Sequence, residues 1–188
     1  MSSVPPNCHF EVDDAEDEWT YSQKFDLIHG RSMVTCFKNP TTVIKSAFSS
    51  LAPGGYLELQ DMILPMRAID DTLNGTVIHD WTVRTMEAAE KLGTSWKNST
   101  NYVRYFEEAG FVDVTEKHFQ WPSNTWPKRL RMKTLGSYWQ EDMLRGLESL
   151  SLVVLTTGGG MTKEEVLAMN ELMKKDIHNT GIHAYLPM

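Results

Sequence analysis

Three short stretches gather most of the side chains that could do chemistry. Asp13-Asp14-Ala15-Glu16-Asp17-Glu18-Trp19 sets five carboxylates around one alanine and one indole. A carboxylate there can accept the exocyclic amine of an adenine, while the next residue offers its backbone N–H to a ring nitrogen and Trp19 offers a stacking face. The same acids could hold a hard cation, but the stretch lacks the glycine and regular spacing of a calcium loop. A plain solvated loop is the third reading. His29-Gly30-Arg31 is the second stretch; its imidazole could orient a substrate, take a proton or serve only as a structural hydrogen-bonding group. Residues 61–65, opening with Asp61, form the third.

These stretches become neighbours only if the elements before them are strands of one sheet. In an open parallel sheet, ligands bind beyond the carboxyl ends of the strands. His9-Phe10-Glu11-Val12 alternates weakly and is expected to be a short strand ending in the acidic loop. Phe25-Asp26-Leu27-Ile28-His29 reads as a second strand. Asn39-Pro40 is a helix-start signal, with Asn39 as the capping side chain and proline at the first helical position. Val43, Ile44, Ala47, Phe48 and Leu51 follow at helical spacing. Pro53-Gly54-Gly55 is expected to stop that helix and lead into a third strand, Tyr56-Leu57-Glu58-Leu59-Gln60-Asp61.

Helices are expected over about 73–92 and about 102–109, then a fourth strand over 111–119. Helical segments over about 127–156 and after Thr162 complete the pattern, the second opened by a Thr162/Glu165 capping box. Within these helices His79, Trp81, Tyr138 and Trp139 could line a pocket, but packing explains them better. His178 and His183 are not spaced as ligands on one helical face. Thr157-Gly158-Gly159-Gly160 follows a helix and lacks the lysine of a phosphate-binding loop, so it reads as a flexible turn between helices. Strands separated by helices give an α/β layered architecture with a largely parallel sheet.

Composition narrows the function. The 188 residues are 41% hydrophobic and 23% charged, which suits one globular domain. A net charge of −7 with dispersed Lys and Arg argues against nucleic-acid binding. No apolar run approaches the ~20 residues of a membrane span. Cys8 and Cys36 are too few for a disulfide framework, so a cytoplasmic location, with a nuclear one as the alternative, is expected.

Taken in order, Pro5-Pro6-Asn7, Val12-Asp13-Asp14-Ala15-Glu16, Glu18-Trp19, Phe25-Asp26-Leu27-Ile28-His29-Gly30-Arg31, Leu51-Ala52-Pro53-Gly54-Gly55-Tyr56-Leu57-Glu58 and Ala109-Gly110-Phe111 resemble consecutive motifs of class I S-adenosylmethionine-dependent methyltransferases. The likeness is strongest to the fungal secondary-metabolism group that includes the velvet-associated regulator. The resemblance implies an incomplete Rossmann-like fold with helices on both faces of a partial parallel sheet. It also implies a small-molecule methyl acceptor, and S-adenosylmethionine held by Asp14 and Ala15 at the adenine and by His29 and Arg31 near the methionine end. His29 is the one candidate for a catalytic role, and no metal is implied. A non-catalytic, regulatory methyltransferase-like module is the alternative.

Against the family's sheet order 3-2-1-4-5-7-6, this chain is expected to supply strands 3, 4, 5 and 6 and to begin after the glycine-rich turn that cradles the cofactor. Residues 1–122 are expected to be the remaining core, 123–182 a helical cap and 183–188 the start of the final strand. An apolar sheet edge left unpaired is expected to draw in a protein partner or a second copy.

Overall fold

The computed structural model describes residues 5–188. Its first unit is the one that the apolar runs and the Asn-Pro signal delimit: β1 (Phe25–Arg31), α1 (Pro40–Ser50) and β2 (Leu51–Gln60). The two strands pair in parallel, with Leu27 opposite Tyr56, His29 opposite Glu58 and Arg31 opposite Gln60. Pro53-Gly54-Gly55 lies inside β2 rather than between helix and strand, because the register shifts between Phe25 and Leu27 to absorb it. Gly54, at φ 82°, supplies the left-handed backbone that this bulge requires.

Val43, Ile44 and Ala47 form the buried stripe of α1. α3 (Tyr102–Ala109) packs against α1, and Phe111 bridges them, meeting Phe48 edge to face with ring centroids 4.9 Å apart and Phe106 in a tilted contact at 5.2 Å. In β2, Leu57 and Leu59 turn inward while Tyr56, Glu58 and Gln60 are exposed. The outer face of the parallel pair is open: Leu27 is 57% exposed and Tyr56 74%.

The larger core lies in the second half of the chain. β3 (Arg67–Ala68), β4 (Gln120–Pro122) and β5 (Ala184–Pro187) form an antiparallel sheet with β5 in the middle. The helices α2 (Val77–Lys91), α4 (Leu130–Val153) and α5 (Lys163–His178) share one hydrophobic cluster with that sheet. Ile78, Leu147, Leu155, Val166, Met173 and Ile177 are its most deeply buried members. Several polar groups inside this layer are paired across elements, as buried donors usually are, while the Asn170 amide and the Ser123 hydroxyl are buried without a partner. Trp81 donates to the Ser151 hydroxyl at 2.8 Å, Asn124 to the carbonyls of Ile177 and Asn179, and Trp126 to the carbonyl of Ala184. The Asp176 carboxylate accepts from the Val77 N–H at 2.6 Å and so caps α2 from α5. The Thr162/Glu165 capping box forms as expected.

Several expectations are corrected. Residues 9–12 form no strand; Phe10 and Val12 are almost fully exposed, and a strand needs a neighbour to pair with. Residues 111–118 form no strand either, and backbone pairing begins only at Phe119, which exchanges hydrogen bonds with Met188 just before β4. Residues 184–187, within the segment expected to begin a final strand, form β5, which lies in the middle of the antiparallel sheet. Helices do not cover both faces of the parallel pair. Asn39 makes no side-chain cap to α1. Tyr138 is 70% exposed, whereas Trp81 and Trp139 belong to the helical core as packing residues.

The glycine run after α4 is packed rather than free. A π-helical turn (Val154–Gly158) brings Gly158 so close to α2 that an added Cβ would lie 2.3 Å from the Ala88 carbonyl oxygen. Gly136 is tighter still, with an added Cβ 1.9 Å from the carbonyl oxygen of Asn124. Backbone cannot yield as a flexible side chain does, so Gly136→Ala must displace α4 from the segment that leads out of β4. It is expected to lower unfolding free energy by about 1–3 kcal/mol in urea titration. A variant as stable as the parent would show that α4 and the Asn124 backbone do not meet as described.

Candidate functional site

The acidic loop, with no regular structure of its own, is held in place by hydrogen bonds. Asp14 accepts from the Glu16 N–H at 2.9 Å, its carbonyl accepts from Asp17, and the Trp19 indole donates to the Ala15 carbonyl at 2.9 Å. Glu16 reaches furthest. Its two carboxylate oxygens accept from the N–H groups of Lys38 at 3.1 Å and Asn39 at 2.6 Å, immediately before α1. These donors belong to a helix start that has no cap from its own sequence neighbours, and a carboxylate also suits the positive end of the helix dipole. Asn39 instead accepts from the Thr41 hydroxyl.

This tie fixes where the loop sits. α1 starts from the connection that leaves the carboxyl end of β1, so Glu16 anchors residues 13–19 at that same end of the parallel pair. His29 and Arg31, two residues apart, lie on the open face of β1 at that end. His29 meets Glu58 across the strands at 3.0 Å. The Gln60 amide first, and then His29, hold the Glu58 carboxyl below its ordinary range. Arg31 is exposed and forms no ion pair among the described residues. No hydrogen bond joins Asp14 or Ala15 to His29 or Arg31.

Beyond the end of β2, Asp61 accepts from the N–H groups of Met33 at 3.2 Å and Val34 at 3.1 Å and from the Tyr102 hydroxyl at 2.9 Å. Burial raises the Asp61 carboxyl above its usual value despite those donors, and burial together with Asp61 pushes the Tyr102 phenol up. Tyr102 therefore stays protonated and donating. Ser32, at φ 58°, donates to the Gln60 carbonyl, so the turn after Arg31 is pinned residue by residue.

Sequence reasoning missed Glu16 as a tertiary cap, Glu58 as the partner of His29, and the Asp61–Tyr102 pair. An acid directly after the end of a parallel strand was the one available signal for Asp61. A cavity of about 810 Å³ opens along β2, lined by Leu57, Glu58, Asp61, Tyr102 and Phe106 among others. None of Asp14, Ala15, His29 and Arg31 lines it. No cluster of metal-ligating side chains exists among the described residues.

One Asp14 carboxylate oxygen and the Ala15 N–H remain without a partner among the described residues. Comparisons with known proteins point to a family. A methyltransferase-domain family model matches residues 2–116. A protein named as a probable methyltransferase of Emericella nidulans is 32% identical over 95% of this chain and 56% of its own length. A methyltransferase of Aspergillus terreus is 33% identical over 97% of the chain and 57% of its own length. A secondary metabolism regulator of Cochliobolus heterostrophus is 27% identical over 97% and 61%. The chain thus spans little more than half the length of these curated relatives.

Glu16→Ala removes the side chain that accepts from the backbone N–H groups just before α1 and releases the acidic loop. The expected result is a loss of about 0.5–2 kcal/mol of stability and faster amide exchange over residues 13–19 and 38–41. Unchanged exchange in both segments would separate the loop from the helix. The match over residues 2–116, together with similarity along nearly the whole chain, makes this protein a member of the methyltransferase-domain family.

Proposed function

We propose that this chain carries the adenine side and the acceptor side of an S-adenosylmethionine site that methylates a small molecule in fungal secondary metabolism. The observation that carries the reading is the Glu16 tie, which holds the Asp14-Ala15 recognition pair at the end of β1 where His29 and Arg31 emerge. Asp14 would accept the adenine amine and Ala15 would donate to the ring, while Arg31 and His29 would face the methionine end and the acceptor. Bound cofactor would supply an electrophilic methyl on sulfur, so the residues of the chain need only align an acceptor and, for a hydroxyl, receive its proton. His29, paired with Glu58, is the group placed for that proton.

We further assign residues 1–122 to the core of the domain, 123–182 to a helical cap over the acceptor side and 183–188 to the final strand. A regulatory, non-catalytic module is the second reading, favoured by the similarity to a named secondary metabolism regulator.

The direct test is a chimera in which this chain replaces the matching segment of the Aspergillus terreus methyltransferase. The chimera is expected to bind S-adenosylmethionine in isothermal titration, and Asp14→Ala is expected to weaken it by about tenfold or more, the loss of one charge-assisted hydrogen bond of ~1.5–3 kcal/mol. In the 188-residue chain alone the same substitution is expected to change nothing measurable. Equal affinity of both chimeras would remove Asp14 from adenine recognition.

A further inference from the structure

We propose that the outer face of the first turns of α4, with the two residues before it, is a docking site for an acidic amphipathic helix of a partner protein. Lys128, Arg129, Arg131 and Lys133 place four of the chain's 18 basic residues within six positions, and all four are exposed. No Asp or Glu occurs from residue 117 through residue 140. Among the described residues the Lys and Arg side chains that form ion pairs are Arg84, Arg104, Arg145 and Lys174, and none of the four in this cluster.

Folding does not account for the cluster. The first turn of α4 holds no acid, so these cations meet the positive end of the helix dipole and one another with nothing to offset either. Acidic side chains brought from outside the chain would relieve both repulsions.

The helix sets the spacing of the face. At ~100° per residue, Leu130, Thr134 and Tyr138 make one stripe, on the side opposite Gly136, Met143 and Leu147, which are buried. Leu130 is 79% exposed and Tyr138 70%. Eight residues at ~1.5 Å each set these two apolar groups about 12 Å apart along the axis. Arg131 lies on one flank of the stripe and Lys133 on the other, as charged positions flank the seam of a coiled coil. Further along the same side the Glu141–Arg145 ion pair, at 2.7 Å, closes the face.

This pattern selects the guest. Leu130 and Tyr138 call for apolar side chains at four-residue spacing, and the flanking cations call for Asp or Glu on either side of them. A nucleic-acid duplex or an anionic bilayer presents charge over a wider area than four cations cover, and would also meet the acids of a chain of net charge −7. A helix of about three turns meets the patch alone.

The test uses the 188-residue chain and, in parallel, the chimera in which it replaces the matching segment of the Aspergillus terreus methyltransferase. The probe is a fluorescein-labelled peptide, Glu-Glu-Leu-Glu-Glu-Ala-Leu-Glu-Glu-Ala-Leu-Glu-Glu. Saturable anisotropy is expected with both proteins, weakening as salt is added. Arg131→Glu combined with Lys133→Glu is expected to lower affinity about tenfold or more. Because acids suit the start of a helix, the double variant is expected to melt no lower than the parent, which separates lost binding from lost folding. A permuted peptide of the same composition with its leucines adjacent is expected to bind about fivefold more weakly. Affinity indifferent to the charge reversal would overturn the site, and equal affinity for the permuted peptide would overturn the helical guest. Tighter binding to a DNA duplex or to phosphatidylserine vesicles, lost in the same double variant, would overturn the assignment to a protein. Binding by the 188-residue chain but not by the chimera would show that this face is covered within a longer methyltransferase, and the docking site would fall.

Discussion

The Asp61 carboxylate is the joint on which the site-bearing half of the molecule turns. It follows the end of β2, is only 8% exposed, and gathers two N–H groups from the loop after β1 and one hydroxyl from α3. Three elements that share few apolar contacts are thereby fixed relative to one another. The cost is desolvation of a carboxyl, which is why its pKa lies above the ordinary value of 3.8. With the folded value raised, its contribution is fullest below that ordinary value and declines as pH climbs through the folded one. The left-handed turn at Ser32 persists because the donors on either side of it are all used.

The parts of the fold that were readable in the sequence are those whose causes are local. β1, α1 and β2 follow from two apolar runs, one Asn-Pro step and helical spacing between them, and the Thr162 capping box follows from two residues three apart. The parts that were not readable depend on distant partners. Residues 9–12 and 111–119 have the composition of strands, yet a strand exists only where a second backbone lies alongside, and among them only Phe119 has one, at Met188. β5 is only four residues long and owes its existence to neighbours on both sides. Glu16 was visible as an acid in a charged loop, but nothing nearby in sequence says that it caps a helix more than twenty residues away.

The helical half shows how much of the chain's core stands apart from the acidic loop. Its core runs from Leu64 to Leu186 and includes no residue of β1, α1 or β2. The parallel pair relies instead on the smaller cluster around Val34, Val43, Ile44 and Ala47 and on polar joints such as Asp61 and Glu16. An open outer face carrying Leu27, His29, Arg31, Tyr56, Glu58 and Gln60 is the result. Polar joints hold geometry with little buried area, which suits a site whose loops must fit around a ligand.

The central claim is that the acidic loop and the carboxyl end of β1 together form an adenine-binding edge. The measurement that tests it most directly is nuclear magnetic resonance of the ¹⁵N-labelled chimera, in which this chain replaces the matching segment of the Aspergillus terreus methyltransferase, titrated with adenosine. The account predicts that the largest amide shifts fall on Asp14, Ala15 and Glu16, with smaller ones on Gly30 and Arg31. Shifts confined to the cavity along β2, or an undisturbed Ala15 amide, would contradict it.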